Sequence, residues 1–324
     1  MKRLLPITLL AVSLSVTCSS KPAAGQRYVY AGGWGGKGSG DGQFLELTGI
    51  TVGPQGNVYA IDEATRTVQV FSGSGSFITK WGLDPQVLEE EGNPPALEPV
   101  CLATGNDGSV FVADARTRSV KRFTAAGSFI TEWPYRNADP KEKLYVYGMP
   151  PSLAATAGGR ILVGDGASPF ITCYDETGSM LFKSRPAVVG EKSARSYPAA
   201  LAPTSEGGFL VADTYECVVK RFTSDGSCVA SFGRHGSTEG KFEFPSGVAI
   251  GGDGTIFVAD VGNDRVQYFS NDGSFLGQFG SYGKSEGEFS GPITVAVSSD
   301  GNVYVADQSD HRIQYFRPVP AEGK

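Results

Sequence analysis

Six aspartates end short apolar runs at nearly even intervals. VYAID, VFVAD, ILVGD, FLVAD, IFVAD and VYVAD place them at Asp62, Asp114, Asp165, Asp213, Asp260 and Asp307, spaced 52, 51, 48, 47 and 47 residues apart. Carboxylates in such number invite acid–base catalysis or cation binding. The even spacing argues for neither. A group needed once per unit serves the unit, and an Asp ending a strand accepts hydrogen bonds from backbone N–H groups of the loop that follows. Other candidate ligands are sparse. The 2 histidines, His235 and His311, fall in different units, and none of the 5 cysteines forms a pair at metal-ligand spacing. No metal and no cofactor is expected. The string GKSEG (283–287) fits the GxSxG spacing, but it lies in a connector rather than on a strand-to-helix elbow, and in a chain this rich in Gly and Ser a chance match means little.

The elements that would position these aspartates repeat with them. Six residues before each stands Gly (Gly56, Gly108, Gly159, Gly207, Gly254, Gly301), and nine after it an aromatic (Phe71, Phe123, Tyr174, Phe222, Phe269, Phe316). Gly-Ser follows at offsets 13 and 14 in the first five units, from Gly75-Ser76 to Gly273-Ser274. Pro lies fifteen before the Asp in five of six units, with Leu47 the exception. Glycines in PQGN, NDGS, SEGG, GDGT and SDGN, between β-branched and aromatic runs, read as hairpin turns that need positive φ. Each unit is then four short antiparallel strands, a to d, which is the content of a propeller blade. Period-2 patterning and glycine density exclude a helical solenoid.

In detail the motif resembles the NHL repeat family. VADVGNDRVQYFSNDGSFLGQFG (258–280) and VADQSDHRIQYF (305–316) carry the resemblance, and six units cover residues 28–320. It implies an all-β, six-bladed β-propeller. Unit three diverges most, with Ser184-Arg185 where others have aromatic-Gly. The last unit lacks a strand d, since Pro320 fills the Gly slot. YVYAGGWGG (28–36) supplies one, because Tyr30 falls in the slot of Phe77 and Phe275 and Trp34 in that of Trp81 and Phe279. The N-terminal strand 28–36 is thus expected to complete the C-terminal blade and close the ring. NHL-related lyases hold zinc with several histidines, a set this chain does not have, and the innermost strands (LTGITV, PVCLAT, PSLAAT, PALAPT, PSGVAI, PITVAV) carry small, apolar or hydroxyl groups.

The repeats disagree between strand d of one unit and strand a of the next. GGKGSGDGQF, RHGSTEGKF and SYGKSEGEF lead into units 1, 5 and 6, each with Gly-x-Phe ending at Phe44, Phe242 or Phe289 and 12 residues from the closing Gly to the Pro slot. The connections into units 2, 3 and 4 lose Gly-x-Phe and measure 17, 16 and 13 residues. In a propeller these connections share a face with the b-to-c loops, so the irregular ones gather on half of that face. Segment 83–98 is acidic, whereas 135–148 and 184–197 mix aromatics with cations. Tyr135, Arg136, Lys143, Tyr145, Tyr147, Arg185, Lys192, Arg195 and Tyr197 are the candidate binding residues, since such groups combine contact area with directional polar contacts.

Residues 1–18 read as a signal peptide: Met1-Lys2-Arg3, then a mostly apolar run to Val16 too short to span a bilayer. LSVTC resembles a lipoprotein lipobox with Cys18 as lipid anchor, although Ser15 and Thr17 depart from the preferred residues; plain secretion with cleavage near Ser20 is the alternative. Residues 19–27 form a linker, 28–320 the propeller and 321–324 a tail. The remaining Cys101, Cys173, Cys217 and Cys228 read as buried thiols, with one bridge open in a compartment that permits disulfides. A net charge of -6 argues against a general nucleic-acid binder. The expected function is a monomeric, non-catalytic interaction scaffold, exported and held at the envelope by lipid alone, for a protein or cell-surface polysaccharide. The alternative is a propeller enzyme, a lyase or lactonase-like hydrolase, with its site at the axial mouth.

Overall fold

The computed structural model describes residues 26–83, 99–115, 117–135, 152–165, 170–185 and 196–320. Among them, six antiparallel sheets of four strands stand around a central axis, innermost strand a to outermost strand d. Blade 5 shows the plan, with strands Pro245–Ile250, Ile256–Asp260, Arg265–Phe269 and Phe275–Phe279. Strand b is buried at every residue in that blade because both its faces meet a neighbouring blade. The hydrophobic core is accordingly a set of slabs, one between each pair of adjacent blades.

Two glycine offsets have different causes. Gly254, in the a–b turn, takes φ 83°, where an L side chain is strained. Gly273, in the c–d turn, takes φ 86°, and a Cβ there would also lie 2.8 Å from the Phe232 ring of blade 4. The same contact sets Trp81 on Gly127, Trp133 on Gly178 and Trp34 on Gly75. The aromatic-Gly ending of one unit and the Gly-Ser turn of the next are therefore two halves of one contact between blades. In blade 3, where Ser184 replaces the aromatic, Phe182 covers Gly226 and the Ser184 hydroxyl donates to the Gly226 carbonyl.

The ring closes as the sequence predicts. Arg27–Gly35 pairs antiparallel with Arg312–Val319, setting Tyr30 opposite Phe316 and Trp34 opposite Ile313, just as Phe77 faces Phe71 and Trp81 faces Val68 in blade 1. The Tyr28 ring meets Phe257 and Tyr268 of blade 5 edge-on at 5.0 and 5.1 Å, and the Tyr268 hydroxyl donates to the Gln26 carbonyl at 3.0 Å. Strand d runs from the turn face to the connector face, so Gln26 and Pro320 both lie on the turn face, opposite the connectors. Cys101, Cys173, Cys217 and Cys228 are free thiols. Among the described residues no helix is long and apolar enough to cross a membrane. The segments 1–18, 19–25 and 321–324 lie outside the described residues.

Candidate functional site

The repeat aspartates fasten chain segments together. Asp260 accepts from the Glu243 N–H at 2.6 Å, Asn263 Nδ2 at 2.9 Å, Arg265 Nε at 2.9 Å and Gln267 Nε2 at 3.2 Å. Four donors fill the acceptor capacity of a carboxylate. Asp62 accepts from the N–H groups of Leu45, Glu46 and Thr65. Asp213 accepts from those of Tyr197 and Glu216, from the Ser196 hydroxyl and from Lys220 Nζ. Asp307 takes Ser290 N–H and Arg312 Nε, and Asp114 takes Thr117 N–H. In blades 1, 4 and 5 the carboxylate thus binds both the connector entering its blade and the b–c loop leaving it. Burial holds Asp260 and Asp307 above the usual carboxylate range, while their donors pull the other way. Asp165 differs, since strand Ile161–Gly164 ends before it and its side chain is only half-buried.

A second fastening separates the blades into two kinds. Seven residues after the Asp, blades 1, 5 and 6 carry Gln69, Gln267 and Gln314. Each Gln accepts from a connector N–H (Gly42, Gly240, Gly287) at 2.8, 2.9 and 2.9 Å. Each also donates to the next carbonyl (Gln43, Lys241, Glu288) at 2.6, 2.7 and 2.6 Å. Phe44, Phe242 and Phe289 are fully buried beside them. Blades 2 and 4 put Lys121 and Lys220 in this slot and blade 3 puts Thr172. An ammonium has no lone pair with which to receive a connector N–H. Lys121 instead pairs with Glu132 at 2.8 Å, and Lys220 with Asp213 and Glu216 at 2.8 and 2.6 Å. Gly-x-Phe and Gln are one device, and half the ring is built without it.

The six strands a surround an axial cavity of ≈ 1140 Å³. Its wall is chiefly small and apolar; at the connector end it gains Glu46, Glu63, Arg118, Asp165, Tyr197, Phe244 and Gln308. Blades 1 and 2 contribute Glu46, Glu63 and Arg118, whereas blades 4 and 5 contribute aromatics. The charged groups thus gather on blades 1 to 3, with Tyr135 among them, and Tyr197 and Phe244 stand on blades 4 and 5. Cys101 also lines the cavity, and burial pushes its thiol up to about 12, so it stays protonated and a poor nucleophile. No three His, Cys, Asp or Glu side chains group to hold a metal ion among the described residues.

The NHL repeat family model matches residues 242–269 and 289–316. Each match starts at the buried connector Phe and ends at the strand c aromatic, spanning the Asp and Gln fastenings of blades 5 and 6. Together with the six four-stranded sheets, these matches decide the family. The chain is an NHL-repeat propeller. No curated protein sequence matches it. Solved structures with a similar fold include virginiamycin B lyase from Staphylococcus aureus, at 15 % identity over 92 % of this chain and 89 % of that one, TM-score 0.60. A Bacteroides thetaiotaomicron protein of unknown function is similar at 15 % identity over 91 % and 76 %, TM-score 0.68. A gluconolactonase from Xanthomonas campestris is similar at 13 % identity over 85 % and 86 %, TM-score 0.61. These likenesses are of fold.

On this NHL propeller the three described residues of the candidate face, Tyr135, Arg185 and Tyr197, have different surroundings. Tyr135 is 7 % exposed: its ring joins the slab between blades 2 and 3, its N–H donates to the Arg118 carbonyl, and burial raises its phenol. Arg185 is exposed just past strand Met180–Ser184. Tyr197 lies half-buried at the mouth. Arg136, Lys143, Tyr145, Tyr147, Lys192, Arg195 and Cys18 lie outside the described residues. Two further aromatics on this face, Tyr215 (58 % exposed) and Phe244 (57 % exposed), escaped the sequence reading. Phe244 was within reach of it, since KFEFPSG sets an aromatic where the other regular connectors have Glu46 and Gly291.

Proposed function

We propose that this NHL propeller is an exported, non-catalytic binding scaffold, monomeric, tethered to the envelope through Cys18 or secreted, that engages a protein or polysaccharide with its connector face. One observation carries the reading: the Gln and Gly-x-Phe fastenings that make the connectors of blades 1, 5 and 6 alike are absent from contiguous blades 2 to 4. That half of the face is free to differ while the ring beneath it stays regular, as binding loops on a rigid scaffold do. The protonated Cys101 and the small apolar channel wall agree with a binding role. The tether is supported by Gln26, which leaves on the turn face and so keeps the mouth away from an anchor.

A second reading, a propeller enzyme with its site at the mouth, is favoured by the ≈ 1140 Å³ cavity and the carboxylates of Glu46, Glu63 and Asp165 at one end of it. Two proteins of similar fold are named a lyase and a gluconolactonase. Capture of partners from an envelope extract, with wild type and with segments 136–147 and 186–195 replaced by Gly-Ser, separates the readings. A partner lost on replacement supports the scaffold; a partner retained places binding elsewhere. Stoichiometric Ca²⁺ or Zn²⁺ in the purified protein, or lactone turnover abolished in Glu63→Gln, would favour the enzyme. Mass spectrometry of the N-terminus tests the anchor, the expected species being an acylated Cys18.

A further inference from the structure

Phe244 occupies the left-handed region at φ 57° with its ring 57 % exposed. A bulky aromatic is strained there. In blade 6 the same slot holds Gly291, at φ 127°, and in blade 1 Glu46, which does not have positive φ. An exposed ring gains little from the core to offset that strain, so folding alone does not account for an aromatic at 244. Strain of this kind on a pinned backbone gathers where a side chain is presented to a ligand. The backbone here is pinned on both sides. The Glu243 N–H donates to Asp260, the Gly262 N–H to the Glu243 carbonyl at 2.7 Å, and the Thr214 hydroxyl to the Pro245 carbonyl at 2.6 Å.

Thr214 gathers three aromatics. Its N–H donates to the Tyr197 carbonyl at 3.1 Å, its hydroxyl reaches the residue after Phe244, and Tyr215 follows it in the chain. Tyr197, Thr214 and Phe244 line the cavity and the exposed Tyr215 adjoins Thr214 in the chain, which sets the three aromatics as an arc on blades 4 and 5 at its connector end. Across the mouth stand Glu46 and Glu63 of blade 1 and Arg118 of blade 2, while Gln308 of blade 6 adjoins the blade of Phe244. Aromatic faces together with planar carboxylates and an amide suit a ligand with apolar faces and hydroxyl edges.

We propose that this arc is a glycan subsite, in which the aromatic faces stack on the C–H faces of pyranose rings while Glu46, Glu63 and Gln308 take their hydroxyls. The proposal rests on the binding-scaffold reading and narrows its partner. Among the described residues the mouth carries three carboxylates, Glu46, Glu63 and Asp165, against one cation, Arg118; on a chain of net charge -6 that balance selects neutral or amino sugars over sulfated or uronic polymers.

Native gels cast with hydroxyethyl cellulose, laminarin or glycol chitosan, with dextran sulfate as the polyanion, test it by mobility shift. The expected result is retardation of the wild type by at least one of the first three and not by dextran sulfate. Phe244→Gly and Tyr215→Ser should each weaken that binding about tenfold, the loss typical of an aromatic anchor. Phe244→Gly should melt no lower than wild type, because glycine suits the backbone at 244. Binding lost with folding intact supports the subsite. Retardation by none of the three glycans overturns it, as does unchanged binding in both variants or equal retardation by dextran sulfate. If no glycan binds and Phe244→Gly instead loses a captured protein, the arc belongs to a protein partner. Loss of the glycan result alone leaves the scaffold reading to the loop-replacement experiment, which fails separately.

Discussion

Asp260 gathers Asn263, Arg265 and Gln267 on one oxygen and the incoming connector on the other. Asp260→Ala would leave the buried Arg265 guanidinium without its carboxylate, a loss expected to cost about 3–5 kcal/mol. Gln267→Leu removes one acceptor and one donor from half-buried connector backbone, and should cost about 1–3 kcal/mol. Urea unfolding of both variants checks the order; a Gln267→Leu loss as large as that of Asp260→Ala would mean the connector is held chiefly by Gln. The Asp was legible in the sequence because it recurs at a fixed offset in six units. The Gln was not, although TVQVF, RVQYF and RIQYF contrast with SVKRF and VVKRF. Its partners are backbone groups 26 and 27 residues away, and one polar residue in a strand looks interchangeable until those are placed.

The c–d turn is the element that joins a blade to its predecessor. Gly127 takes φ 85°, and a Cβ there would lie 2.3 Å from the Trp81 ring. Gly127→Ala strains the backbone and displaces the ring, with an expected loss of about 2 kcal/mol or more in a chemical denaturation. The same turns carry the protein's response to acid. The Ser270 hydroxyl and Ser274 N–H hold the Asp272 carboxyl below the usual range, and Thr223 and Ser227 do the same for Asp225. A folded pKa below the unfolded one contributes stability that is complete above the unfolded value and is lost as pH falls through the folded value. These turn carboxyls therefore lower the melting temperature on acidification through the carboxylate range, while Asp260 and Asp307, raised by burial, act in the opposite sense. Ser270→Ala should shallow that fall and raise the Asp272 pKa in an NMR titration; an unmoved Asp272 would remove the turn from the account. The strands and turns were readable from hairpin glycines. The second role of the Gly-Ser turn was not, because its aromatic partner lies in the preceding unit and the contact exists only once blades stack.

At the scale of the whole molecule, the orphan strand was legible because Tyr30 and Trp34 fall in slots already set by other units, and the register bears this out. The unlike half of the connector face was legible only as a departure from the repeat; a pattern shows where a rule lapses and not what replaces it. Closure itself makes the sharpest prediction. Residues 27–35 bring Trp34 against Phe71, Tyr304 and Tyr315, and Tyr28 against blade 5. Truncating a buried aromatic costs about 3–5 kcal/mol, so losing buried Tyr28, half-buried Trp34 and the strand that carries them approaches the whole stability of a typical domain, about 5–15 kcal/mol. Deleting 27–35 should leave no cooperative melting transition, and a melting temperature equal to wild type would refute the closure. A permutant separates loss of the strand from loss of chain order. Val319 stands opposite Arg27, so a Gly-Ser turn can join them as in the other blades, with new termini in the exposed a–b turn at Gln55. If the N-terminal strand acts only by completing blade 6, this permutant should fold and melt within about 5 °C of wild type. A permutant that fails to fold would show that the split blade, and not merely the strand, holds the ring shut.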